Sequence, residues 1–291
     1  MEQARVVHRR DAVISYRVSA AQSPGPAIVL LHGLASNMTR WSEFVERTTL
    51  TRRWSVIRVD LRGHGESPTR ERVDLERWCD DLVALLDQER RPAAVLIGHS
   101  LGAQVALQFA ARQPRRTLGV ALIDPVFRAA LHGRWKLLAR LGPVFRLAAV
   151  VVRGLNRLGF TRREIEQLDL RALDEKARAA LRSPRDTDAF VRRYSSTRAD
   201  LRSFHTAHYL QELVEMFRPL PAPETIAAPT LVLLSAGGTF ADPAESAAIV
   251  RRFPNSRLIT IDCEHWPLTE RPDEVRAAIE SWCESCIAPR S

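Results

Sequence analysis

Short apolar runs separated by longer helical patterns set the rhythm of this chain. Residues 13–18, 27–31, 55–59, 94–97, 118–123, 230–234 and 258–261 are rich in β-branched side chains and read as strands. Several are apolar at every position. That is the pattern of strands covered on both faces, as in a parallel sheet between two helix layers. Between them the period lengthens. Residues 75–86 place Leu75, Trp78, Cys79, Leu82, Val83 and Leu86 on one helical stripe, and 101–112 and 273–283 also read as helices. Strand–helix alternation of this kind predicts an α/β fold with a doubly wound, mostly parallel sheet.

The alternation stops after Ile123 and resumes at Thr230. The stretch between reads as helical, with no convincing strand. Pro219, Pro221, Pro223 and Pro229 mark the return to extended chain, because proline breaks helices and favours extended linkers. The expected organisation is a core made of 1–125 and 227–291, with 126–226 inserted as a helical cap or lid.

The chemistry-bearing residues fall at the ends of the expected strands. The run Ala94 to Gly102 reads A-V-L-I-G-H-S-L-G, so a buried strand passes through Gly98-His99-Ser100-Leu101-Gly102 directly into a helix. This is the G-x-S-x-G arrangement in the strand–turn–helix context it requires. A serine on so tight a turn needs neighbours without side chains two residues away on either side. Its Oγ then projects above the sheet beside a helix N-terminus, whose dipole and free Leu101 N–H favour developing negative charge. Ser100 is therefore the candidate nucleophile, and His99 fills a variable position with no assigned role.

The strand at 27–31 ends in His32-Gly33. The glycine allows close backbone approach, and the Leu34 N–H is the candidate second oxyanion donor beside that of Leu101. After the strand at 55–59 comes Asp60 to Ser67, D-L-R-G-H-G-E-S, read as an architectural turn with Asp60 as turn former. His265 follows the last strand and precedes the last helix, on the same rim as Ser100, and is the candidate general base.

Taken together, H-G at Gly33, D-x-R-G-x-G-x-S at Asp60, G-H-S-L-G at Ser100 and H-W-P-x-x-E-R-P at His265 resemble the α/β-hydrolase superfamily in order and spacing. The resemblance covers about 13–123 and 230–287 and leaves the inserted segment outside. It implies acyl transfer: Ser100 attacks a carbonyl, His265 takes the proton, and water hydrolyses the acyl-enzyme. An ester, thioester or related acyl bond is the implied target, with a C–C bond hydrolase of the same fold as a near alternative. A non-catalytic binding protein on this fold is the reading from another class.

One part departs from the family pattern. Members usually carry the triad acid as G-x-x-D just after the penultimate strand, and here Gly238 occupies the aligned position. Asp242 lies further on and, with Pro243 after it, reads as the N-cap of a helix over 244–252. Asp124 ends the strand at 118–123, where some family members place the acid. Asp124 is the favoured third member, with Asp242 as the alternative.

Other features narrow the class. Neither G-x-x-x-x-G-K-[ST] nor G-x-G-x-x-G occurs, so no cofactor is expected. His205 and His208 lack a third ligand nearby, and Cys283 with Cys286 is a lone C-x-x-C, so no metal is expected either. Four cysteines, no signal-like apolar run at the N-terminus and no run of about 18 apolar residues point to a cytoplasmic protein.

The charge is uneven. The chain carries 43 Lys+Arg against 34 Asp+Glu, and 126–226 alone holds 19 against 11. Residues 128–163 contain nine cations and no acid, interleaved with Leu, Val and Phe. The preferred reading is a solvated basic face whose apolar side packs over the active site, with an apolar portion of the substrate beneath it. Peripheral contact with an anionic membrane is the second reading. A nucleic-acid partner is not expected, because no aromatic platform or recognised motif accompanies the charge.

Overall fold

The computed structural model describes residues 2–21, 26–160, 165–166, 168–181 and 184–287. An eight-stranded sheet forms its centre: β1 (Glu2–His8), β2 (Val13–Ser19), β3 (Ala27–Leu31), β4 (Ser55–Val59), β5 (Ala94–His99), β6 (Thr117–Ile123), β7 (Thr230–Ser235) and β8 (Ser256–Ile261). The spatial order is β1-β2-β4-β3-β5-β6-β7-β8. β2 pairs antiparallel with β1 and β4, and all other neighbours are parallel. This is the doubly wound α/β architecture that the strand–helix alternation predicts.

The continuous apolar character of the central strands has a direct cause. Along β3, Ala27, Val29 and Leu31 enter one core cluster, while Ile28 and Leu30 enter the other. The first cluster is closed by helices Leu75–Gln88 and Leu101–Arg112, through residues such as Trp78, Leu82, Val105 and Phe109. The second is closed by Trp41 and Phe44 and by helix Pro272–Trp282, through Val275, Ile279 and Trp282. Full burial of one such side chain is worth roughly 1.5–3 kcal/mol, so both layers stabilise the sheet. Trp78 is fully buried and its Nε1–H donates to the Arg62 carbonyl at 3.0 Å, so its polar edge is satisfied.

β1 is the strand that the hydrophobic pattern does not announce. Its sequence E-Q-A-R-V-V-H buries only Val7, and it pairs with β2 alone, from Glu2 opposite Ser19 to His8 opposite Val13. An edge strand is held largely by main-chain hydrogen bonds, which leave no trace in side-chain hydrophobicity.

Between β6 and β7 lie helices Gly133–Arg140, Gly142–Arg157, Leu170–Ala180, Pro184–Tyr194, Thr197–Ser203 and Thr206–Met216, and no strand occurs there among the described residues. The expectation that the apolar side of 128–163 packs inward holds only in part: Trp135, Leu138 and Phe145 face the cavity beside Ser100. Ala139 and Ala149 are buried, but Leu137, Val144, Leu147, Val150 and Val151 point to solvent. The reason is geometric: in Gly142–Arg157 the apolar residues cover more than the one stripe that an inward-packed helix can bury. Arg162 and Arg163 of that stretch lie outside the described residues.

From β3 the chain steps to β4 on one side, then crosses back to place β5 on the other. The loops after β3 and β5 diverge at this switch point, and such a divergence at the strands' carboxyl ends opens a crevice for ligands.

Candidate active site

β5 delivers Ser100 to this crevice. The residue sits at φ 52° and ψ −115°, a strained conformation for a non-glycine residue, and helix Leu101–Arg112 begins immediately after it. Sterics explain the flanking glycines. A Cβ on Gly98 would lie 2.2 Å from the Gly102 carbonyl oxygen, and one on Gly102 would lie 2.3 Å from the Leu31 carbonyl oxygen. The turn is held by the Ser100 N–H, which donates to the Ile123 carbonyl of β6 at 2.9 Å.

His265 reaches the same point from the loop after β8. Its Nε2 lies 2.9 Å from Ser100 Oγ, and its Nδ1–H donates to Asp124 Oδ2. Phe240 packs edge-on against the imidazole with centroids 4.3 Å apart. Ser100 and His265 are both buried.

Asp124 occupies the end of β6 at φ 45°, which turns its carboxylate toward His265. Its second oxygen accepts from both the N–H and the Oγ–H of Ser235, each at 2.9 Å. Burial pushes the carboxyl up. The charge and hydrogen bond of His265, with the two bonds from Ser235, outweigh that and hold it below the usual aspartate value.

Asp242, the alternative acid, lies elsewhere in its loop. Its side chain accepts from the Glu245 N–H at 2.9 Å and caps helix Pro243–Val250. The loop after β7 is spent on other contacts. His132 donates to the Gly238 carbonyl at 2.7 Å, and Trp135 Nε1–H donates to the Thr239 carbonyl at 3.1 Å. A Cβ on Gly237 would fall 2.4 Å from the Glu264 carboxyl, so a side chain there would require that carboxyl to move aside.

Asp60 is architectural. It accepts from the Met38 N–H at 2.6 Å and the Glu66 N–H at 2.7 Å. His32 has a similar role: its Nδ1–H donates to the Gly33 carbonyl at 2.9 Å, and its Nε2 accepts from the Leu61 N–H at 3.1 Å. His208 is buried, with Nε2–H donating to the Glu71 carbonyl at 2.9 Å.

Two residues beside the site escape sequence reasoning. Ser235 carries no motif; only its place at the end of β7, the neighbour of β6, hints at a role. His99 stands inside G-H-S-L-G at a variable position, where residue type alone assigns no role. Its Nε2–H donates to the His265 carbonyl at 2.9 Å. Burial, reinforced by the neighbouring His265, drops its pKa to about 3, so the ring is neutral.

A cavity of about 580 Å³ opens over the site, with Leu34, Ser100 and His265 in its lining and Leu138, Phe145 and Met216 among its apolar walls. Arg40 also lines it but is committed to an ion pair with Asp174 and a 2.8 Å bond to Thr269 Oγ1.

The sheet order, the strained turn at Ser100 and the buried His265 define a hydrolase-type α/β protein. Comparison with known proteins gives the family. A family model described as the alpha/beta hydrolase fold matches residues 26–272, and the chain belongs to that family. The mouse sn-1-specific diacylglycerol lipase ABHD11 is 25 % identical over 286 residues, covering 94 % of this chain and 86 % of the other. An uncharacterized protein of Mycobacterium tuberculosis is 36 % identical over 155 residues, which are 51 % of this chain and only 39 % of the relative. Among solved structures, a thermophilic esterase from Thermogutta terrifontis superposes with a TM-score of 0.69 at 23 % identity, covering 98 % of this chain and 100 % of that one. The chain is an α/β-hydrolase, and a lipase stands among its relatives.

Proposed function

We propose that this protein is a cofactor-free serine hydrolase that cleaves an ester, thioester or related acyl bond through an acyl-enzyme on Ser100. The observation that carries the reading is the continuous hydrogen-bonded line from Ser100 Oγ through His265 to Asp124. In the first half-reaction Ser100 Oγ bonds to the carbonyl carbon while His265 Nε2 takes the hydroxyl proton. The tetrahedral oxyanion is received by the Leu34 and Leu101 N–H groups. Collapse breaks the bond to the leaving group, which departs with the proton from His265. Water then repeats the sequence and releases the acid. Asp124 accepts the Nδ1–H, sets the tautomer and stabilises the imidazolium.

The helices of 126–226 act as the cap of this site, and their apolar residues in the cavity suit an apolar acyl or alcohol portion. A lipase and an esterase among the similar proteins support this substrate class. The test is covalent labelling by a fluorophosphonate probe, followed by hydrolysis of a panel of acyl esters of increasing chain length. Wild-type protein is expected to be labelled on Ser100. Ser100→Ala is expected to lose the label and about 10⁴-fold or more in kcat, because the triad acts as a unit. A folded wild-type protein that takes no label would leave a binding role on a hydrolase fold as the better reading.

A further inference from the structure

The two helices that follow β6 carry a second apolar surface, facing away from the cavity. Nine of the twelve large hydrophobic side chains exposed in the described structure fall between 137 and 160. Val144, Leu147, Val150 and Val151 are 54 to 66 % exposed, all on helix Gly142–Arg157. Leu137 before them and Leu158 after them are 60 and 75 % exposed. Side chains three, four and seven apart share a helix face, so 144, 147, 151 and 158 form one stripe, with 150 at its margin. An apolar patch this concentrated is unusual on a soluble surface and marks an interaction site.

The charge around the stripe says what covers it. Arg134, Lys136, Arg140, Arg146 and Arg157 are exposed on the same two helices, and no Asp or Glu occurs from 128 to 163. Among the described residues the ion pair in this region is Arg153–Glu71, at 3.7 Å. A second copy of the chain docked through this face across a two-fold axis would bring these cations against their own kind, which repels. An anionic lipid surface meets both demands: acyl chains receive the stripe and headgroup phosphates receive the cations. No described helix is long and apolar enough to cross a membrane, so the fitting geometry is a helix lying in the interface plane.

We propose that the Gly133–Arg140 and Gly142–Arg157 pair docks this protein on an anionic phospholipid surface. The same helices turn Trp135, Leu138 and Phe145 inward to the cavity. Docking therefore sets the cavity's own wall on the membrane, a placement suited to substrates held in lipid. The docking itself does not depend on the hydrolase reading, and Ser100→Ala is expected to bind vesicles like the wild type.

The experiment is co-flotation of the full chain with phosphatidylglycerol–phosphatidylcholine vesicles and with pure phosphatidylcholine vesicles, at low and high salt. Partitioning to the anionic vesicles is expected to be about tenfold stronger or more at low salt, and to fade as salt screens the cations. The pair Leu147→Ser with Val151→Ser removes apolar area without altering charge, at exposed positions outside the cavity lining. It is expected to abolish flotation while hydrolysis of a short water-soluble ester stays unchanged. Arg140→Glu with Arg146→Glu is expected to erase the preference for anionic vesicles. Equal binding to both vesicle types, binding to neither, or flotation unaffected by the serine pair overturns the proposal. So does a dimer in light scattering that the serine pair dissociates.

Discussion

The ends of β6 and β7 lie side by side on the rim of the sheet, and each loop holds an aspartate. The two carboxylates live in opposite environments. Asp124 is turned inward at φ 45°, bonded to His265 and twice to Ser235. Asp242 sits at a helix start and accepts from a backbone N–H. On the proposed reading, the segment from Ser235 through the loop after β7 supports the site rather than supplying its acid. Through Ser235 and Phe240 it holds the aspartate and the imidazole, and through Gly238 and Thr239 it anchors the helix Gly133–Arg140. Adjacent strands can exchange such duties because both rims approach the same imidazole, and catalysis requires a carboxylate at Nδ1 rather than a particular loop to supply it.

The largest effect that separates the two aspartates is expected from Asp124→Asn. It keeps the shape and removes the charge, and should cost about 10⁴-fold in kcat, as loss of the correct tautomer does in such triads. Steady-state kinetics on the best ester of the panel decide this. If Asp242→Asn proved the damaging substitution and Asp124→Asn the mild one, the comparison would be reversed.

Next comes Ser235→Ala. It removes one of two hydrogen bonds from Ser235 to a charged carboxylate, an interaction worth about 1.5–3 kcal/mol. A loss of roughly 10- to 100-fold in kcat is expected with KM little changed, since the bond supports the triad rather than the substrate. An unchanged kcat would mean the backbone N–H of Ser235 alone suffices.

Asp242→Ala should act on stability alone. Removing an N-cap costs about 1 kcal/mol, so the denaturation midpoint is expected to fall slightly while kcat holds.

A third carboxyl sharpens the contrast in the pH dependence of stability, with no effect expected on kcat. Asp200 lines the cavity and bonds to the Tyr209 hydroxyl at 3.0 Å. Burial, only partly relieved by that bond, raises its pKa from 3.8 to about 7. The folded state then holds this proton after the unfolded chain has lost it. This group's contribution to stability is full below pH 3.8 and is lost as pH rises toward 7. Asp200→Asn should flatten that part of the melting-temperature profile between acidic and neutral pH. A profile with the same slope as wild type would show that Asp200 ionises freely.

Much of this protein was legible from its residues in order. The central strands announce themselves because both faces are covered, which makes β3 apolar at every position. Ser100 announces itself because a strained turn admits only glycine at 98 and 102. These are local demands, written within about ten residues of one another. β1 stayed silent because an edge strand with one buried side chain has no pattern to read.

Tertiary structure decided what depends on residues far apart in the chain. Asp124 and Asp242 are the same residue type, and the sequence favours Asp124 only by its place after a strand; the φ of 45° and the contact across 141 positions to His265 are what the fold adds. Ser235 gains its role from lying beside β6, a neighbour more than a hundred residues away. The apolar residues of 137–158 had the composition to pack inward, yet one helix cannot bury its whole circumference against one cavity. Which stripe turns out is set by the packing of Gly142–Arg157 on the rest of the molecule, and that is where its exposed surface comes from.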